Sequence, residues 1–441
     1  MNRKEIPENT IDVIAEYISK RVNQPSRMPI ITIDGKSTTP HYYEIVPFDQ
    51  IDDSGICFFA IDGSYNSQEF YNGIHLGLYT AGYVCFHRGK QIRLNDTSDP
   101  VILGKSYFPE NILITNDAHR DAVFDELLNI YPVRKMLEFF KPNDNDIDSI
   151  WGLGKDTRRL ITSSVSKLLS FCQEVLEWSL VLEILNSDKC KSGDFILRDG
   201  TLRSNNIKQQ FLIKIGALAK EKGVRIIAIT KNSPIKLELS SSFKAIDSYL
   251  ENEKKPSYPF TITNKRWQKL CCWFEIPDDI LLTAYPESSE RRKIEVDPDF
   301  KLTRYSMFAT RTLTGGRGFG LFFAARLDYV EKLQNYDWVI VDINIFDAIP
   351  SIDEDMDEQQ IGKENRDMSF LSALFKELTR LTQEHYILGY PYPLVEAHNF
   401  VTLKKNFKDE IVKRVKASLY QRQMMDHVDI ENMFLDIHER F

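Results

Sequence analysis

Phe58-Phe59-Ala60-Ile61-Asp62-Gly63-Ser64 is the stretch on which the reading of this chain turns. An unbroken apolar run ends in a carboxylate, and a Gly-Ser pair follows at once. Such a run reads as a strand buried on both faces. Its Asp then stands where the chain leaves the sheet and a site can form. The competing reading is a turn Asp that caps its own backbone. A second copy of the pattern, Phe195-Ile196-Leu197-Arg198-Asp199-Gly200-Thr201-Leu202, favours the first.

Between the two copies, Gly73 to Phe86 is rich in β-formers and punctuated by Gly, which predicts antiparallel strands meandering beside the first. Ala122 to Phe140 reads as a helix, ended by the break Lys141-Pro142-Asn143-Asp144-Asn145-Asp146. A long helix follows over about Arg158 to Asn186. At about 100° per residue, Val165, Leu169, Cys172, Leu176 and Leu180 share one stripe, and Glu183 falls in its middle. Glu174 and Glu177 point toward the more polar side. A carboxylate on a buried face is costly unless paired, protonated or bound to a metal. The alternative is a frayed helix end that lets Glu183 reach water.

After the second copy comes a helix over about Asn206 to Lys222, ended by Gly223, and a buried strand Val224 to Ile229 with Lys231 just past it. That is a β-α-β unit, so these strands are expected to be parallel with a right-handed crossover. Upstream, Pro7 to Val22 suggests a short amphipathic helix and Met28 to Pro47 an extended arm. Downstream, residues 249–299 form an irregular inserted region. There Lys254, Lys255, Lys265, Arg266 and Lys269 are interleaved with Tyr258, Phe260, Trp267, Trp273 and Phe274. Basic residues among aromatics suit a surface that grips a backbone and stacks on bases; the other reading makes the aromatics the core of the insertion. Leu302 to Ala309 and Gly318 to Arg326 read as paired strands around a Thr314-Gly315-Gly316-Arg317 tip, and Trp338 to Ile343 as another buried strand. An acidic linker, Asp353 to Asp367, precedes an amphipathic helix from Ser369 to Tyr386.

The net charge of −8 argues mildly against a protein that coats nucleic acid with its whole surface, and leaves room for a local basic groove. The six Cys show no CxxC pair and no zinc spacing, and read as thiols of a reducing cytoplasm. No apolar run approaches the roughly 18 residues of a membrane helix, and Met1-Asn2-Arg3-Lys4-Glu5 has no signal-peptide h-region. The expected location is cytoplasmic.

The element order gives the fold class: α/β, a ribonuclease-H-like mixed sheet, antiparallel strands first and then parallel β-α-β, flanked by helices. Divalent-metal nucleases need carboxylates from different elements to converge on one or two ions. Asp62 and Asp199 at strand ends, with Glu183 on a helix over the sheet, would supply them.

The Phe59-Ala60-Ile61-Asp62-Gly63-Ser64 pattern, the helical Glu and Leu197-Arg198-Asp199-Gly200-Thr201-Leu202 resemble the NurA nuclease family. Gly389-Tyr390-Pro391-Tyr392-Pro393-Leu394…Ala397-His398 is similar to that family's C-terminal motif and is the most specific of the three. The matches are islands between Cys57 and the C-terminus; neither the first fifty residues nor 249–299 is covered. The expected division is an N-terminal helix and extended arm over residues 1–50, read from the residues alone, and, from the resemblance, a nuclease domain over 51–441 with an insertion at about 249–299. The resemblance also implies a Mn2+- or Mg2+-dependent deoxyribonuclease acting as a single-strand endonuclease, a 5'-3' exonuclease or both. It further implies a homodimer that processes DNA ends with a HerA-type hexameric ATPase, in repair or in anti-phage defence. Asp62, Glu183, Asp199 and His398 would be metal ligands, with His398 able to act in proton transfer instead, and Tyr392 would lie near substrate or metal. Spacing to Asp199 varies in the family, so only the helical stripe selects Glu183 over Glu177. Asp426 is a candidate for a late acidic residue.

Two rivals stand beside this reading. A haloacid-dehalogenase-type phosphatase also has a buried strand ending in Asp-Gly-Thr, but needs a nucleophilic Asp two residues earlier, where Leu197 and Ala60 stand. A catalytically inactive scaffold docking on an ATPase ring fits the acidic charge, yet leaves four potential site groups without a purpose.

Overall fold

The computed structural model describes residues 12–16, 31–33, 36–38, 40–44, 55–69, 75–87, 90–92, 104–107, 113–114, 117–140, 161–204, 209–244, 270–276, 320–327, 338–352, 364–383, 389–403 and 405–422, with single positions 19, 94, 207, 246 and 431. The chain divides into two compact units, one of Ser54–Asp199, Ser204–Ile226 and Pro393–Phe441, the other of Met1–Asp53, Gly200–Arg203 and Ile227–Tyr392.

The first unit is built on a mixed sheet. The strand Cys57–Glu69 pairs antiparallel with His75–His87 along its whole length, from Cys57 opposite His87 to Glu69 opposite His75. On its other side it runs parallel to Phe195–Asp199, but only from Phe58 opposite Phe195 to Ile61 opposite Arg198. Gly104–Tyr107 and Leu113–Ile114 add to the far side of His75–His87. Phe58, Phe59, Ala60 and Ile61 are all at most 1% exposed, as an apolar run covered on both faces requires.

Two expectations about these strands change. Asp62-Gly63-Ser64 is not a turn: the strand continues to Glu69, and what ends at Asp62 is its parallel partner. The Gly-punctuated stretch after it is one strand of 13 residues rather than a meander, because its glycines sit in continuous antiparallel pairing. The helix expected over 122–140 is two, Asp117–Asn129 and Tyr131–Phe140. Pro132 lacks an N–H and belongs in the first turn of a helix, which places a new start there.

The long helix Val165–Leu185 begins at Ser164, whose hydroxyl accepts from the Lys167 amide at 3.2 Å. It contains neither Gly nor Pro and packs against Cys57–Glu69 and His75–His87. Phe124 stacks on Phe171, and Phe140 on Phe211 of the helix Gln209–Lys222, which closes the helical layer.

In the second unit five described strands pair antiparallel in the order His41–Glu44, Leu270–Glu275, Gly320–Arg326, Val339–Asn344 and Arg225–Thr230, the last from Ile227 on, and Ile31–Ile33 pairs separately with Lys36–Thr38. Phe243 stacks on Trp338 at 4.3 Å, and Trp273 on Phe375 at 4.7 Å. Trp273 and Phe274 are buried, so these two are core and not a base-stacking surface. Lys254, Lys255, Lys265, Arg266, Lys269, Tyr258, Phe260 and Trp267 lie outside the described residues, as do Leu302 to Ala309, the Thr314 to Arg317 tip, Asp426 and positions 353–363 of the acidic linker. Gly320–Arg326 finds its partners in Leu270–Glu275 and Val339–Asn344.

Asp342 is a buried carboxylate in this sheet, 1% exposed. It accepts from the Leu202 amide at 2.8 Å and from Arg203 Nη1 at 3.4 Å. Removing one member of such a pair leaves the other charge buried without its partner. Asp342→Ala is therefore expected to destabilise the protein by about 3–5 kcal/mol, measured as a lowered urea midpoint with an unchanged slope.

Candidate metal centre

The pleat of the strand decides what Asp62 can reach. Successive side chains point to opposite faces, and Gly63 faces the long helix: a Cβ there would lie 2.5 Å from Glu177 Oε1 and 2.6 Å from Gln173 Cγ. Asp62 consequently points to the other face. The parallel register that pairs Ile61 with Arg198 brings Asp62 and Asp199 level at the next position, on that same face.

The helix Tyr392–Val401 delivers the third group. Its close approach depends on Gly82, opposite Asp62 in the antiparallel pair; a Cβ there would come within 2.7 Å of Lys105 O and 3.0 Å of Val401 Cγ1. At Gly104, on the next strand, the ring of Phe400 takes the space in the same way. Seated so, the helix sets His398 Nδ1 2.8 Å from Asp62 Oδ2. The chain after it is tied down by Thr402, whose amide donates to His398 O at 2.8 Å, and by the Leu403 amide on Ser64 Oγ at 3.4 Å.

Asp62, Asp199 and His398 each offer one ligand atom, and these atoms all lie within 4.8 Å of one another. Asp62 is buried, while the His398 side chain is 53% exposed, which leaves one side of the group open. Burial raises the pKa of Asp62, and the charge of Asp199 adds to the rise; the His398 contact and the Gly63 amide, 2.7 Å from Oδ1, oppose it. Two carboxylates facing one another with one imidazole are donors that a divalent cation can take, and a cation there relieves the mutual repulsion of the carboxylates. The residues fit a divalent cation.

The structure does not bring Glu183 into this group. Its carboxylate is engaged by Lys105 Nζ and by the Tyr107 hydroxyl, which donates to Oε2 at 3.0 Å. The helical-stripe argument fails here for a physical reason. From Val175 to Leu185 the helix is buried all round except at Glu183, so it has no polar side toward which Glu177 could point. Glu177 is in fact 3% exposed. Its Oε2 accepts from Arg198 Nη2 at 2.6 Å and its Oε1 from Gln173 Nε2 at 2.7 Å. Burial pushes its pKa up to about 7, opposed by the Arg198 guanidinium and reinforced by Asp62. Tyr392 opens the His398 helix and is 1% exposed. In the second unit, Lys231 lies 3.8 Å from the centre of the Tyr390 ring, and the Tyr390 hydroxyl donates to Ile229 O at 3.2 Å.

In the sequence Glu177 stands only as the alternative to Glu183 and Gly82 is not singled out, although one signal for a buried Glu177 is there. An Arg inside the apolar run Phe195-Ile196-Leu197-Arg198 requires a buried acidic partner, and the long helix is the nearest source of one.

No protein-family model matches the chain, and no curated protein matches it. Among solved structures, the crystal structure of NurA is similar over 95% of this chain and 98% of that chain, at 12% identity and a TM-score of 0.33.

The seating of the His398 helix gives a direct check. Gly82→Ala should push it off the strand, so that the amides of residues 398–402 exchange hydrogen about tenfold faster or more, while those of the long helix remain protected.

Proposed function

We propose that this chain is a divalent-metal-dependent DNA nuclease, and the observation that carries the reading is the convergence of Asp62, Asp199 and His398 on one face of the sheet. Asp62 and Asp199 would hold the cation from neighbouring positions on two adjacent strands that the sheet keeps level. Mn2+ or Mg2+ held there supplies a Lewis acid for the scissile phosphate and a nucleophile at neutral pH. His398 completes the ligand set or moves a proton: Asp62 orients its Nδ1, and the exposed part of the ring meets the substrate at Nε2. Tyr392 sets the head of the helix that carries His398. Glu183, occupied by Lys105 and Tyr107, stands outside the ligand set in this reading.

The substrate, partner and setting follow the NurA resemblance of the sequence motifs. They comprise single-strand endonuclease or 5'-3' exonuclease action on DNA ends, a homodimer, a HerA-type hexameric ATPase as partner, and a role in repair or anti-phage defence in the cytoplasm. Among the described residues no helix is long and apolar enough to cross a membrane. The scaffold alternative keeps the fold and the ATPase but not the chemistry, and the phosphatase alternative lacks its nucleophile.

Labelled linear single- and double-stranded DNA, incubated with Mn2+, Mg2+ or a chelator, separates these. Cleavage is expected with either metal, none with chelator, and none for Asp62→Ala or Asp199→Ala that retain wild-type circular dichroism. His398→Ala should lower the rate by about 100-fold or more, the usual worth of a positioned acid–base group. Wild-type protein that leaves both DNAs intact at every metal concentration would instead favour the scaffold. Copurification with a P-loop ATPase encoded alongside it tests the partnership.

A further inference from the structure

The ion pair between Glu177 and Arg198 has no part in the chemistry above, yet it touches both arms of the site. Arg198 immediately precedes Asp199, and Gly63 immediately follows Asp62. Glu177 Oε2 holds the Arg198 guanidinium at 2.6 Å, and Oε1 occupies the space where a Cβ on Gly63 would stand, 2.5 Å away. Gln173 fixes Oε1 from the helix itself at 2.7 Å, and Arg198 lies 4.9 Å from the Trp178 ring. Every atom of this contact is on the face of the sheet opposite His398.

We infer that Glu177 is a positioning residue of the centre: its carboxylate braces the two adjacent strands from behind, through Gly63 and Arg198, and so helps set the separation of the Asp62 and Asp199 carboxylates. This rests on reading Asp62, Asp199 and His398 as a cation site. Two observations favour positioning over simple stabilisation. A buried ion pair adds little net stability compared with an apolar pair of the same volume. The parallel register between the two strands ends with Ile61 opposite Arg198, so the ligand residues stand one position past its last pair. A side-chain bridge at that last pair adds to the backbone in setting their spacing, and residues that orient ligands without binding the metal govern its affinity.

The test is Mn2+ binding to the full chain, read from the electron paramagnetic resonance signal of the free ion, with circular dichroism as the check on folding. Asp62→Asn serves as the ligand control. Glu177→Ala should raise the Mn2+ dissociation constant about tenfold, the lower end of the range for groups behind metal ligands. Glu177→Gln, which still accepts from Arg198 and fills the space at Gly63, should stay close to wild type. Gly63→Ala drives a methyl into Oε1 and should also weaken binding about tenfold. Gly63→Ala with Glu177→Ala should cost no more than the worse single change, since both act through one contact.

Three results would overturn the proposal. They are a loss in Glu177→Gln as complete as in Asp62→Asn, which makes Glu177 a ligand; unchanged affinity in Glu177→Ala and Gly63→Ala; or independent, multiplying losses in the double variant. If Glu177→Ala does not fold, Glu177→Gln and Gly63→Ala decide. Unaltered binding in Asp62→Asn overturns the cation site as well, and that outcome is distinct because it does not involve position 177.

Discussion

Because Cys57–Glu69 pairs in parallel with Phe195–Asp199 as far as Ile61 and Arg198, two carboxylates stand side by side at the next position, just past the last pair of that ladder. Extended backbone alternates its side chains between faces. Asp62 and Asp199 therefore share one face with His398, while Gly63 and Arg198 share the other with the long helix. The centre and the ion pair behind it are two sides of one register. A slip of one residue in either strand would exchange them, turning a carboxylate into the helix and an arginine toward the open face.

The electrostatics of the two faces differ in kind. Behind the sheet, Glu177 and Arg198 are each at most 6% exposed, hydrogen-bonded and mutually compensated. Desolvation of such a pair roughly cancels its attraction, whereas removing one partner costs about 3–5 kcal/mol. Its role lies in geometry more than in net stability. In front, Asp62 and Asp199 repel one another, and the imidazole of His398 answers only part of that charge. The sheet and the docked helix hold this arrangement together, Gly82 and Gly104 having given up their side chains to let the helix approach. A group that keeps like charges close is held together at the expense of its own stability.

Local pattern carried the strands, the helices and the two Asp residues. An apolar run that ends in Asp-Gly is legible because burial on both faces leaves no other use for so many adjacent apolar side chains. The choice between Glu183 and Glu177 was not legible in the same way. Periodicity marks a buried side only when a helix has an exposed one, and from Val175 to Leu185 this helix has almost none. The one residue there that reaches out of the core is Glu183, and it meets Lys105 and Tyr107 from a strand about eighty positions earlier in the chain. No local pattern encodes such a partner.

The sequence by itself determined that two buried apolar runs each lead into a carboxylate and that a long apolar helix lies between them in the chain. Those features depend on neighbours within a few residues, where propensity and alternation act. Only the tertiary structure decided that His398, 336 positions away, stands 2.8 Å from Asp62, and that Glu177 is bonded to Arg198 behind the site. It also decided that Asp62 lies inside a strand rather than at its end. Those outcomes rest on which face each strand shows to which helix, and that is settled by pairing register and by the close approach at Gly63 and Gly82, contacts between segments far apart in the chain.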